Sequence, residues 1–450
     1  MKMNANKLQP IMIKQIYVLV AFLTGINLST AANSEHTEAS MANTSPTTIG
    51  EYTLVIEGYD WGPAVSRVVL SLNESTKSAN YQDYSVMVTR QTDCTELPDE
   101  QASGSRRVVH AYVSDEKGNI NEEGQYVTLV MEVSPNNPLD SPIQYSRNDK
   151  CSGNNWLTYQ MNIVNEKTLQ SWNTEVDRVM PVIDRFDVSG SFTHNDQTLT
   201  YASYSPEGSD EKSPLIIWLH GGGEGGTDPS IPLVANKAAN YASDEIQALF
   251  GGAYVLSPQS PTYWMDNGEG SMTRGQTEDI FHEALMALIR DYVETHPQID
   301  RDRIYLGGCS NGGYMTLKLL LEHPDYFAAA FPSALAYQSQ YLSDEDIRSI
   351  RKVPIWFVHA KDDPVTVAKN TVIPVYERLK AANAKNVHLS LYDHVVDITG
   401  FFGGEDYHYN GHWSWIYSHA NQCRRDADGS PVLLNGRPTT IMEWLAAQQK

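Results

Sequence analysis

Ser310 stands in Gly308-Cys-Ser-Asn-Gly312, a G-x-S-x-G run between the strand-like Arg303–Leu306 and the helix-like Gly312–Leu321. A strand that turns sharply into a helix can hold a serine hydroxyl clear of the backbone. Glycines on either side remove Cβ atoms that such a turn would crowd. A serine hydroxyl is a weak nucleophile. It needs a base to take its proton, and the base needs an acid to orient it. The chemistry within reach is acyl transfer through Ser310. The five-residue pattern occurs by chance in other proteins, and the strand before it and the helix after it give it weight here.

The acid is expected just after a late strand and the base further downstream. Asp362 and Asp363 follow the apolar run Pro354–His359, and Asp363, next to Pro364 and Val365, is preferred. The downstream histidines are His388, His394, His408, His412 and His419. His388 falls within a strand-like run and His394 directly after it. His408 and His412 share the loop Tyr407–Trp415, and His412, at a Gly-His-Trp turn, is preferred, with His408 second. Two backbone N–H groups should face the oxyanion. One is that of Asn311. The other belongs to the glycine-rich loop His220–Gly226, at Gly222, with Gly223 as the alternative. No G-K-[ST] follows these glycines, which disfavours a phosphate loop. Tyr263, Trp264, Trp413 and Trp415 could line a substrate pocket or simply pack the interior. No CxxC pair and no His/Cys cluster suggests a metal. The chemistry requires no metal and no organic cofactor.

These groups need a sheet to position them. Apolar runs at Leu215–Leu219, Ala253–Leu256, Arg303–Leu306, Pro354–His359 and Val387–Tyr392 alternate with helical patterns at Thr277–Glu294, Gly312–Leu321 and Val375–Ala382. That alternation implies a largely parallel sheet covered on both faces, an α/β architecture. The earlier chain differs. Tyr52–Ile56, Ser66–Leu72, Tyr84–Thr89, Arg107–Val113, Tyr126–Val133 and Leu157–Val164 are β-branched and aromatic, with turn-forming clusters between them. Strands without intervening helices imply a β-sandwich. The expected division is a signal peptide at 1–31, a flexible leader at 32–49, a sandwich at 50–183 and a catalytic domain at 184–450. The sandwich should adjust access to the site without supplying catalytic groups, and limited proteolysis should cut near Asp184.

The signal assignment rests on Lys2, Lys7 and Lys14 ahead of the apolar run Ile16–Leu28, with small residues at Ser29–Ala32. The run is short and interrupted for a membrane span, so stable membrane insertion after its removal is not expected. The formal charge of −22 disfavours nucleic acid as a partner. Export permits disulfides, and Cys94 with Cys151 is the preferred pair. Cys309 reads as a small buried filler.

Leu215–Gly226, Gln259–Trp264, Arg303–Thr316, Ile355–Val365 and Tyr409–Trp415 resemble secreted bacterial esterases of the α/β-hydrolase fold, the group also labelled predicted peptidases and prolyl-oligopeptidase-like. Tyr59–Val65 resembles the start of the immunoglobulin-like domain that precedes the catalytic domain in some of them. The resemblance runs from about residue 50 to the C-terminus. It is specific in the catalytic half and weaker between about 75 and 185. It implies hydrolysis of a small-molecule or polymer-linked ester, with Ser310, Asp363 and His412 in the roles given above. A serine peptidase with the same triad is one rival. A surface- or carbohydrate-binding protein with a vestigial hydrolase is the other.

Overall fold

A computed structural model describes residues 49–208 and 212–450. The expected signal peptide and all of the expected leader except Ile49 lie outside the described residues. Ile49 itself opens the first strand.

Ten strands come first. They are β1 (Ile49–Tyr59), β2 (Gly62–Thr76), β3 (Tyr84–Gln91), β4 (Ser103–Arg106), β5 (Val108–Ser114), β6 (Gly124–Met131), β7 (Ile143–Arg147), β8 (Ser152–Trp156), β9 (Thr158–Asn165) and β10 (Ser171–Val179). Eight of them join in the order β4-β3-β9-β10-β1-β2-β6-β5, while β7 and β8 form a separate hairpin. Strand β10 lies between β1 and β9. Ser171 and Trp172 pair antiparallel with β9, and the strand also runs parallel to β1. Alternation sets the buried face. In β3, Val86, Val88 and Arg90 point inward, and they join Leu54, Val68, Leu129 and Met161 in the core. The Tyr52 hydroxyl accepts a 2.9 Å bond from the Met161 amide, tying β1 to β9.

Buried Arg90 donates to the backbone oxygens of Ser141, Gln101 and Ile143. Arg106 pairs with Asp140 at 2.8 Å, both buried. The preferred cysteines, Cys94 and Cys151, are bridged. Together these contacts fix both ends of the β7–β8 hairpin to the sandwich.

The second sheet contains β11 (Asp187–His194), β12 (Gln197–Tyr204), β13 (Ser213–Leu219), β14 (Tyr254–Gln259), β15 (Ile299–Cys309), β16 (Ala329–Ser333), β17 (Ile355–Ala360) and β18 (Val387–Tyr392). Its order is β11-β12-β14-β13-β15-β16-β17-β18. From β14 to β18 every neighbouring pair is parallel, and β11 and β12 add an antiparallel edge. Every residue of β13 and β17 is buried, as a sheet covered on both faces requires. One helix is shorter than its periodicity suggests. It spans His282–Thr295 and does not begin at Thr277. The Asp279 carboxylate accepts the amides of Phe281 and His282, and this local capping replaces a further helical turn.

The two sheets share one continuous apolar cluster, from Leu54 and Trp172 to Trp218 and Tyr241. Across the junction, Lys237 pairs with Asp60 at 2.8 Å and Trp61 meets Phe402 edge-on. The connection at Asp184 is a packed turn, Ile183–Arg185, with Ile183 and Phe186 buried. Asp184 and Arg185 themselves are exposed on this turn. Among the described residues no helix is long and apolar enough to cross a membrane.

Candidate active site

The parallel strands end on one side of the sheet, where ligands bind in open α/β folds. Strand β15 ends at Cys309, and the helix Asn311–Glu322 begins one residue after Ser310. Between them Ser310 adopts φ 54° and ψ −109°, a left-handed conformation costly for a residue with a Cβ. Its amide donates to the Ser333 carbonyl of the neighbouring strand at 3.0 Å, which holds the strained turn. The flanking glycine is a steric necessity. A Cβ on Gly312 would lie 2.0 Å from the Leu219 carbonyl oxygen.

Beyond β17 the chain places Asp363, and the turn Gly411–Trp413 places His412. His412 Nε2 is 2.9 Å from Ser310 Oγ, and His412 Nδ1 is 2.9 Å from Asp363 Oδ2. Asp363 has no exposed side-chain surface, while His412 keeps a small exposed edge. Asp363 Oδ1 accepts the amides of Val365 and Thr366, and Oδ2 accepts the Thr366 hydroxyl at 2.6 Å. Burial alone would raise the Asp363 pKa. Hydrogen bonds from His359, His412 and Thr366 outweigh it and hold the carboxyl well below the usual carboxylate range. An ionised Asp363 fixes the proton of His412 on Nδ1. Nε2 is then a free acceptor facing the serine hydroxyl, and the arrangement can move a proton from Ser310.

The other candidates lie elsewhere. Asp362 pairs with His394 at 2.8 Å, and His408 stacks on His394 at 4.3 Å. His388 pairs with Asp426, and His419 is buried between Trp218 and Tyr241.

Asn311 follows Ser310, and its side-chain oxygen accepts the Met265 amide at 3.0 Å. Gly222 lies against the Asn311 side chain, 3.2 Å from Nδ2 to the position of a Cβ. The loop His220–Gly226 is pinned from within. Buried His220 donates from Nδ1 to the Gly221 carbonyl and accepts the Ser260 amide at Nε2. Burial depresses its pKa to about 4, so the ring stays neutral and can serve as that acceptor. Glu224, in the same loop, is buried and has its pKa raised to about 7 by desolvation.

Of the aromatic candidates, Trp264 does not line a pocket. It has no exposed surface and packs against His220 and Phe281. The turn after β14 exposes Pro261 and Thr262 and places Trp264 in the core. Tyr263 and Trp413 are half-buried, and Trp415 stands edge-on to the His412 ring at 5.5 Å. Cys309 is buried, with its thiol directed at Asn236 Oδ1, and burial pushes its pKa well up.

Sequence reasoning passed over two residues here. His359 Nε2 lies 2.7 Å from the Thr366 carbonyl and 3.3 Å from Asp363 Oδ2. A histidine five residues into an apolar strand run was the available signal. Asn154 of β8 reaches the glycine-rich loop from the sandwich, and no local pattern announces it.

Residues 51–177 match the family described as the esterase Ig-like N-terminal domain, and residues 205–397 match the phospholipase/carboxylesterase family. A solved thermostable esterase superposes with a TM-score of 0.69 at 24% identity, over 89% of this chain and 99% of its own. The poly(3-hydroxyalkanoate) depolymerase C of Paucimonas lemoignei is 28% identical over 32% of this chain and 33% of its own length. Feruloyl esterase B of Neurospora crassa is 29% identical over 30% of this chain and 43% of its own. The chain therefore spans less than half the length of either curated relative. The fold is an immunoglobulin-like sandwich followed by an α/β-hydrolase domain.

Proposed function

We propose that this chain, whose two domains belong to the esterase Ig-like and phospholipase/carboxylesterase families, hydrolyses carboxylic esters through an acyl-enzyme on Ser310. The observation that carries the reading is the Ser310–His412–Asp363 chain of hydrogen bonds, 2.9 Å at each link, on a strained serine at a strand–helix turn. As Ser310 Oγ attacks the ester carbonyl carbon, His412 Nε2 takes its proton. Asp363 holds the imidazolium that forms. The amides of Asn311 and of the Gly222 region receive the oxyanion. The intermediate collapses, the C–O bond to the alcohol breaks, and His412 returns the proton to that oxygen. Water, activated by His412, then attacks the acyl-enzyme and frees the acid and Ser310. Apart from the ester and that water, the groups used here are side chains and amides of the chain itself.

The depolymerase and feruloyl esterase relatives act on esters of different size, and both classes fall within this reading. We read the protein as exported. The support is the apolar leader behind three lysines and the Cys94–Cys151 bridge, which suits an oxidising compartment.

The test is Ser310→Ala with a fluorophosphonate probe and a panel of p-nitrophenyl, feruloyl and acetyl-sugar esters. The parent should label at Ser310 and turn over at least one ester. The variant should lose labelling and at least about 10³-fold in turnover. Labelling at another serine would overturn the assignment.

A further inference from the structure

The glycine-rich loop does not stand alone. The middle of the β7–β8 hairpin, on the sandwich side, rests on it. The Asn154 amide donates to the Gly223 carbonyl at 2.6 Å. The Asn154 side-chain nitrogen donates to Glu224 Oε1 at 3.1 Å. Gly153, at φ +97°, comes so close that a Cβ there would lie 2.4 Å from the Gly223 oxygen. The Tyr145 ring covers Gly223 from the other strand, 3.2 Å from the position of its absent Cβ. Trp156 Nε1 donates to Ser230 Oγ at 3.0 Å, just beyond the loop.

From these contacts we infer that Asn154 is a positioning residue for the oxyanion donors, so the sandwich sets the catalytic geometry of the neighbouring domain. The inference rests on the acyl-transfer reading above. A glycine-rich loop has many accessible backbone conformations, and only some direct an amide at the oxyanion. Donors must be in place before the reaction to be worth their full effect. Inside the catalytic domain the loop has His220 at its start and the Gln259 side chain bonded to the Glu224 carbonyl. The stretch between them, Gly221–Gly223, carries the expected donor. Its carbonyl at Gly223 is held by the Asn154 backbone amide, and the next residue, Glu224, by the Asn154 side chain, both from the other domain; substitutions at Asn154 remove the side-chain bond that anchors Glu224. The hairpin can bear that load because Arg90 grips its base and the disulfide closes its far turn.

The geometry also supplies a rescue. Asn154→Asp sets a carboxylate against Glu224 and removes the donor. Adding Glu224→Gln restores a donor–acceptor pair in the opposite sense.

The experiment measures p-nitrophenyl acetate kinetics and inhibition by phenylboronic acid, which becomes tetrahedral on a serine. The proteins are the full chain, Asn154→Ala, Asn154→Asp and the double variant. Asn154→Ala and Asn154→Asp should lower kcat by about tenfold or more, with KM within about twofold. The boronate should weaken in step. The double variant should recover most of the loss. Fluorophosphonate labelling of the parent at Ser310 separates the two claims. If the parent does not label there, the acyl-transfer reading fails. If it labels and both single variants match the parent, only the role of Asn154 fails. A fall in kcat with unchanged boronate affinity, or with no recovery in the double variant, also overturns that role. Should Asn154→Ala not fold, the Asn154→Asp pair decides alone, because its two members differ at one buried group.

Discussion

Asp362 turns its carboxylate to His394, 2.8 Å away, while its neighbour Asp363 turns to His412. Two adjacent acids thus serve two different histidines. The packing explains the split. Gly411 lies directly on Asp362, where a Cβ would be 2.2 Å from Oδ1, so the backbone leading to His412 occupies the space Asp362 would need. Asp363→Asn should lower kcat on the order of 10³–10⁴-fold, because the amide no longer selects the required tautomer. Asp362→Asn should stay within a few fold of the parent. Steady-state kinetics on one ester checks both, and the opposite order would transfer the acid's role to Asp362.

His359 is fully buried behind Asp363 and donates to the Thr366 carbonyl. His359→Phe keeps most of the volume and removes the donor. It should cost about 1–3 kcal/mol of stability, the usual result of leaving a buried acceptor unpaired. It should also lower kcat more than it changes KM, since Asp363 loses one of the groups that fix it. Urea midpoints and kinetics on p-nitrophenyl acetate measure the two effects. A variant as stable as the parent would mean that these bonds contribute nothing net.

Residues whose surroundings are local in sequence were the legible ones. Ser310 announces itself because the glycines, the strand and the helix are all within a dozen positions. Strands of the sandwich are legible where side chains alternate, as in β3 and β9. Strand β16, Ala329–Ser333, was missed because its five residues are mostly small and match no period. Strand β10 was missed because Asn173, Glu175, Asp177 and Arg178 dilute its apolar content. Choosing among five downstream histidines needed residues brought together over 49 positions, for Asp363 and His412, and 102 positions, for Ser310 and His412. The Asn154–Glu224 contact joins two domains across 70 positions, and nothing in either segment encodes the other.

Trp264 shows the same limit from the other side. A Tyr-Trp pair near an active-site loop suggests a substrate wall, yet the indole is in the core and its Nε1 has no partner among the described residues. Trp264→Ala should cost about 3–5 kcal/mol, as for other large-to-small core changes. Trp264→Phe should cost much less, because it keeps most of the buried ring and removes an N–H without a partner among the described residues. Thermal and urea unfolding give the comparison. If Trp264→Ala left stability intact and changed only KM, the pocket assignment would return.

Glu224 gives the loop a pH dependence that can be isolated. Desolvation raises its pKa from 4.5 to about 7, against the bonds it accepts from Gly221 and Asn154. The folded protein then holds this proton more tightly than the unfolded chain does. Between about pH 4.5 and 7 the unfolded chain binds fewer protons here, so this group lowers stability as the pH rises. The penalty is absent below that window and complete above it, on the order of 3 kcal/mol. Glu224→Gln keeps an oxygen for Asn154 and cannot ionise. Relative to the parent, the variant should be about equal in stability at pH 4.5 and more stable at pH 8. The difference should open steadily in between. Other titrating groups, His220 among them, act on both proteins alike and cancel in the difference. Urea denaturation of the pair at several pH values measures it. A difference that is constant with pH, or that narrows as the pH rises, would show that Glu224 is ionised in the folded protein throughout the range.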